Sequence, residues 1–185
     1  MATEAEAFKV FLDFVWRPEN DGARRDAAPG EKFNTVRGVT EMTWSGAQQN
    51  KIVPAGATLD DSTDEQLAAV LHWCCWQLPG AEKLADRGLG ALAIVVANMA
   101  MAAGPGTAVK MLQQTVGNGL KADGGFGPNT LAAVTEVAAE PGRDLVGQYT
   151  QTCLRYYASL ANAPQFLHGW TRRANACEAA ARTLG

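Results

Sequence analysis

Phe8, Phe11, Leu12, Val15 and Trp16 recur at helical spacing while Glu4, Lys9 and Asp13 fall on other faces, which predicts an amphipathic helix near the start of the chain. Pro18 limits its continuation, because a proline ring clashes with the preceding turn. From Glu19 to Arg37 the chain is rich in Asn, Asp, Gly, Pro, Arg and Lys and keeps no period, so a long loop or a small irregular hairpin is expected there. A loop of that length in a compact domain is usually functional. A short helix is expected after Thr40, whose hydroxyl can cap a first turn. A second loop through Pro54 and Gly56 leads to Ser62, Thr63, Asp64 and Glu65, which have capping-box spacing. The helix they open carries Leu67, Val70, Leu71, Trp73, Cys74 and Trp76 and stops at Pro79 and Gly80.

The stretch from Gly88 to Ala103 is apolar almost all round and should be the central helix, ending at Gly104, Pro105 and Gly106. Val109, Met111, Leu112 and Val116 mark the next helix. Asp123 to Pro128 then form a tight turn, and Leu131, Val134 and Val137 follow on a helix that Pro128 starts. Two more helices are expected over roughly Arg143 to Leu160 and Trp170 to Leu184, separated by Pro164. The fold class is therefore mainly α.

Composition narrows the function. A chain of 185 residues, 47% hydrophobic and 19% charged, has ample material for a packed core. The net charge of -3 and a pI near 5.4 leave no global positive field, so no nucleic acid partner is expected. The longest apolar run, Leu89 to Ala103, is broken by Gly90 and Asn98 and is shorter than the roughly 20 residues of a bilayer span, so no membrane insertion is expected. Glu4 and Glu6 stand where a signal peptide would be basic, and synthesis in the cytoplasm without a cleavable signal is the expectation. Cys74, Cys75, Cys153 and Cys177 lack zinc-site spacing and read as reduced, packed thiols. His72 and His168 accompany no nucleophile motif, and the glycines around Asp123 lack the Lys and Ser/Thr of a phosphate loop. Neither a metal nor a cofactor is implied.

What remains is carboxylate chemistry. Glycoside hydrolysis needs an acid to protonate the leaving oxygen, and usually a second carboxylate to deal with water or the developing cation. Glu19, just after the aromatic helix and at the head of the polar loop, is placed for the first task. Taken alone, a loop glutamate is more often solvated than catalytic.

The order of motifs adds to this. Glu19, Asn20, Asp21 and Gly22, then Pro29 and Gly30, then Thr35, Val36, Arg37, Gly38, Val39 and Thr40 resemble the Glu-Gly-Gly stretch, Pro-Gly loop and Thr, Gly-Val-Thr segment of the glycoside hydrolase family 108 muramidases. Gly104, Pro105 and Gly106 resemble that family's break after the central helix, and Lys110, Leu112 and Gln113 its following Lys and Leu-Gln. Asp123, Gly124, Gly127, Pro128 and Thr130 look like its peptidoglycan-binding signature, and Phe166, Gly169, Trp170, Arg172 and Arg173 its C-terminal aromatic and paired-arginine segment.

The resemblance implies a lysozyme-like helical fold, with a catalytic lobe over 1–103 and a helical peptidoglycan-binding region over 104–185 packed on it. It implies a muramidase that cuts between N-acetylmuramic acid and N-acetylglucosamine, with Glu19 as general acid. Such an enzyme would act in the periplasm or on the cell wall after export or lysis, with a holin, a secretion system or an immunity protein as further partners. There are departures. Asn20 and Asp21 replace glycine, the loop aspartate aligns with Ala28, and Asp26 and Glu31 are its nearest substitutes. Two polar positions of the family's central helix look like Asn98 and Ala102, and an aromatic looks like Arg37. Thr35 would orient a water or close a turn. Asn98 would bond core backbone or line the cleft, and Trp76 would pack or stack on sugar. The rival reading is a family member without turnover that binds peptidoglycan or a protein.

Overall fold

The computed structural model describes residues 2–20 and 35–184. Helix α1 (Glu4–Val15) starts on a capping box that the sequence reading missed: Glu6 N–H donates to Thr3 Oγ1 at 3.2 Å, and Thr3 N–H to Glu6 Oε2 at 2.7 Å. Its buried face is Ala7, Phe11, Phe14 and Val15. Strands β1 (Thr35–Val36) and β2 (Val39–Thr40) form the expected small hairpin, with Thr35 opposite Thr40 and Val36 opposite Val39. Its two turn residues both have positive φ, Arg37 at 45° and Gly38 at 81°, the pairing that matches the twist of a two-residue hairpin. The buried valines turn one face of the hairpin inward and leave both threonines half-buried.

Thr40 caps α2 (Glu41–Gln49) as expected, accepting from Thr43 N–H at 3.2 Å. Helix α3 (Asp64–Leu71) is capped one residue later than the sequence implied. The reciprocal bonds join Thr63 to Gln66, at 3.3 and 3.0 Å, rather than Ser62 to Glu65. Beyond Leu71 the helix widens into a π-helical turn, His72–Gln77, marked by Leu78 N–H donating to Trp73 O at 3.1 Å. A short helix that the pattern did not predict, α4 (Ala81–Asp86), follows Gly80.

Helix α5 (Gly90–Ala103) is the central element, as its all-round apolarity required. It packs against α1 and α4 and against three later helices, α6 (Pro105–Val116), α8 (Leu145–Ala158) and α9 (Ala163–Ala181). Between them lies α7 (Pro128–Ala138), begun by Pro128 as expected. Two prolines were misplaced by pattern alone. Pro105 opens α6 instead of only ending α5, and Pro164 sits in the first turn of α9 instead of preceding a helix that starts at Trp170. In both cases proline loses nothing, because first-turn amides have no intrahelical acceptor. The core is one continuous cluster that runs from Ala7 and Phe11 through α5 to Cys177 and Ala181. Tyr149, fully buried, fastens α8 to α6 by donating to Ala108 O at 3.1 Å. The fold is mainly α.

All four cysteines are free, and burial pushes the Cys153 and Cys177 thiols up to about 12, which suits inert packing groups. Asp144 caps α8. Arg182, at 2.7 Å, and the Gly147 amide, at 3.1 Å, hold its carboxyl below the usual range. A depressed folded pKa stabilises the protein above the unfolded carboxylate range and ceases to do so as pH falls through the folded value. Asp144→Asn keeps a capping oxygen but loses the charge, so it should melt below wild type at neutral pH. The gap should close in thermal scans taken to about pH 2, well below the roughly 3.9 of an unfolded aspartate.

Candidate functional site

Glu19 is exposed on the turn that follows α1, Trp16 to Asn20. That turn is held from behind. Asn20 N–H donates to Arg17 O at 2.9 Å, and its side-chain amide donates to Phe14 O at 2.7 Å, a carbonyl in the last turn of α1 that Arg17 N–H also reaches, at 3.3 Å. Arg17 lies over the Phe14 ring, 5.7 Å from its centroid. Asn20, which looked like a departure where glycine is usual, therefore anchors the segment that presents Glu19.

The hairpin braces the same turn from the side. The Arg37 guanidinium lies 4.8 Å from the Trp16 ring centroid and reaches Asp64, in the first turn of α3, at 3.3 Å. Hairpin, Glu19 turn and α3 are thus joined through one side chain. Arg37 Nε and Trp16 Nε1 are sheltered and have no hydrogen-bond partner among the described residues. Arg37→Ala should cost about 1 kcal/mol, since cation–π contacts and part-exposed ion pairs each contribute a fraction of that. A chain of this size would then melt about 2–4 °C lower. An unchanged midpoint would show that the brace carries no energy.

Thr35 is half-buried at the base of the hairpin. Asp26 and Glu31 lie outside the described residues. Asn98, buried in α5, turns its Oδ1 to another helix, where it accepts from Arg173 Nε on α9 at 3.0 Å. Arg173 also approaches Met101 Sδ at 3.4 Å. The paired arginines therefore divide, Arg173 clamping α9 to α5 and Arg172 remaining exposed. Trp76 requires a correction. It is fully buried, its ring packs on Phe8 and Phe11, and its indole N–H donates to Glu4. The π-helical turn points it into the core, so it has no face to offer a sugar.

A second cluster gathers the signature that begins at Asp123. Gln113, 1% exposed on α6, donates through Nε2 to Asp123 Oδ1 at 2.9 Å, Gly125 O at 3.1 Å and Thr130 Oγ1 at 3.2 Å, and accepts Gly124 N–H through Oε1 at 2.9 Å. Asp123 Oδ1 also accepts Gly125 N–H at 2.9 Å, and this amide together with Gln113 holds the exposed carboxyl below the ordinary range. Phe126, in the middle of the turn, covers Gly80. A Cβ there would stand 2.2 Å from the ring, and the φ of +75° already favours glycine. The signature is a scaffold that ties the turn before α7 to α6 and to the start of α4.

Residues 107–175 match the model of the predicted peptidoglycan domain. The match takes in the whole Gln113 cluster and relates this chain to peptidoglycan. Over 95% of its length, and 94% of the other chain, the protein is similar in structure to Brucella abortus SagA, with a TM-score of 0.77. Their sequences are 24% identical, so that likeness concerns the fold. No curated protein matches the chain. The anchoring roles of Asn20 and Gln113 were missed in the sequence, because bonds to Phe14 O and to the 124–125 backbone leave no trace in spacing.

Proposed function

We propose that the protein is a peptidoglycan hydrolase that cuts the glycan strand between N-acetylmuramic acid and N-acetylglucosamine, with Glu19 as general acid. The observation that carries this reading is a glutamate presented on a turn anchored through Asn20 and braced through Trp16 and Arg37, in a mainly helical fold. The predicted peptidoglycan domain in the same chain supports the substrate class. Glu19 gives its proton to the glycosidic oxygen as the bond from the muramic acid anomeric carbon breaks. Water then adds to the oxocarbenium-like centre and loses its proton to a base. Thr35 orients that water, and Asp26 or Glu31 is the proposed base. An exposed carboxyl gains the desolvation that suits a general acid when the sugar chain covers it.

Arg37 meets the polymer through its exposed edge, whereas Asn98 acts at one remove, by fixing Arg173. The lobe over 1–103 carries the chemistry, and the region over 104–185 holds the wall. The site of action is the periplasm or cell wall, reached through a holin, a secretion system or lysis, and an immunity protein would guard the producing cell in the second case.

A second reading is a wall-binding module without turnover, favoured by the exposure of Glu19. Purified sacculi separate the two. After incubation with the protein and borohydride reduction, mass spectrometry should find released disaccharide peptides ending in reduced muramic acid. Binding without new reducing ends would favour the module.

A further inference from the structure

We propose that the seam between α6 and α8 is a glycan-binding trough, distinct from the Glu19 turn, that grips the N-acetylated sugar strand of peptidoglycan. The inference rests on the wall-binding role given above to the region over 104–185 and says where in it the polymer lies.

Helix α8 seats itself on the core through Leu145, Tyr149, Cys153 and Tyr157. Beside that stripe runs a second one at the same helical spacing, Gln148, Gln151, Thr152, Arg155 and Ser159, and it is polar throughout. Helix seams usually close with apolar contacts. This one is closed below by Leu112, Tyr149 and Cys153, and only its solvent edge is left as a polar groove. Two adjoining cavities of about 480 and 350 Å³ share Gln114, Thr152 and Arg155, so a single trough follows the seam from Gln148 to Tyr156. Each is in the range of about 300–1,000 Å³ typical of small-ligand clefts.

The floor is fixed and the rim is free to pair. Thr115 Oγ1 donates to Thr152 Oγ1 at 3.0 Å across the two helices, and Arg155 donates to the same oxygen at 2.9 Å. Above them the amides of Gln114, Gln148 and Gln151 are exposed, Arg155 stands out to solvent, and Tyr156 offers a half-buried ring at one end. Planar amides suit sugar hydroxyls and N-acetyl groups, a guanidinium suits a lactyl or peptide-stem carboxylate, and a phenol ring suits a pyranose face. The acidic residues at the other end are already engaged, since Arg182 binds both Asp144 and Glu178 at 2.7 Å. A single outward cation among amides selects a hydroxyl-rich, weakly acidic polymer rather than a nucleic acid. All the lining residues except Glu178 fall within the matched peptidoglycan domain.

The test is retention of the full chain on purified sacculi at ice temperature, with a soluble N-acetylglucosamine tetramer as competitor. Gln148→Ala/Gln151→Ala/Arg155→Ala changes exposed positions of one helix to its best former, which offsets the lost Arg155 bond to Thr152, so melting close to wild type is expected. Retention should fall at least about tenfold, or roughly 1.4 kcal/mol. The tetramer should displace the wild-type protein. Should the triple variant melt early, Gln114→Ala on the opposite wall decides, with a weaker but clear loss expected. Full retention of a folded variant would overturn the trough while leaving wall binding in place. Displacement by salt but not by the tetramer would overturn the glycan assignment. A wild-type protein that does not sediment with sacculi would overturn both the trough and the wall-binding role.

Discussion

Glu19→Gln should reduce the lysis of purified sacculi by about 10²–10⁴-fold, the usual contribution of a positioned general acid. The substitution keeps the size of the side chain and its capacity to accept a hydrogen bond, and removes only the transferable proton. Glu19 is exposed, so the change opens no cavity and leaves the turn with its Asn20 and Arg17 contacts. Melting should match wild type, and retention on sacculi should persist, because the proposed holding surface lies on α6 and α8. That combination separates a chemical role from a structural one. A turbidity assay in which the variant clears sacculi at the wild-type rate would remove Glu19 from the mechanism. A wild-type protein inert in the same assay would point to the module without turnover. The expected pattern is full binding, unchanged melting and no new reducing ends.

Helical periodicity made most of the fold legible, because burial of one face imposes spacing whatever the partner. The α1 stripe and the all-round apolarity of α5 required an outer and a central helix, and both are present. Prolines were read as breaks, yet Pro105 and Pro164 each stand within a first helical turn, where their missing amide costs nothing. The hairpin was foreseeable only in outline. Its register depends on two residues of positive φ, and Arg37 in such a conformation cannot be told from its letter. Trp76 shows the limit for side chains. Spacing places it on the same helix as Trp73 in any case, and only the π-helical turn, which shifts the phase of the helix, decides that it faces Phe8 and Phe11. Asn98 was correctly suspected of needing a partner, but that partner, Arg173, lies 75 positions away and no local pattern joins them.

The same reasoning applies to Gln113, and here the expected change is in stability. Gln113→Leu keeps the volume of a side chain that is 1% exposed and removes four hydrogen bonds at once, three donated and one accepted. Not all of these losses count equally. Asp123 and Gly125 are exposed and can turn to water, whereas Thr130 is buried and the Gly124 amide half-buried. Thr130 Oγ1 still has Gly125 O at 3.3 Å, so the Gly124 amide pays most of the penalty. Leaving a buried polar group unpaired costs about 1–3 kcal/mol, and with the remaining losses the variant should be roughly 2–3 kcal/mol less stable. In a chain of this size that lowers the melting midpoint by about 4–12 °C. The turn from Asp123 to Pro128 should loosen first, releasing Phe126 from Gly80, so trypsin should cut after Lys121 sooner than in wild type. Asp123→Ala should cost less, and its effect should shrink further in the Gln113→Leu background, because the two residues share one bond. If Gln113→Leu melts with wild type while wall retention collapses, the cluster is a contact surface for the polymer and not the scaffold of the turn.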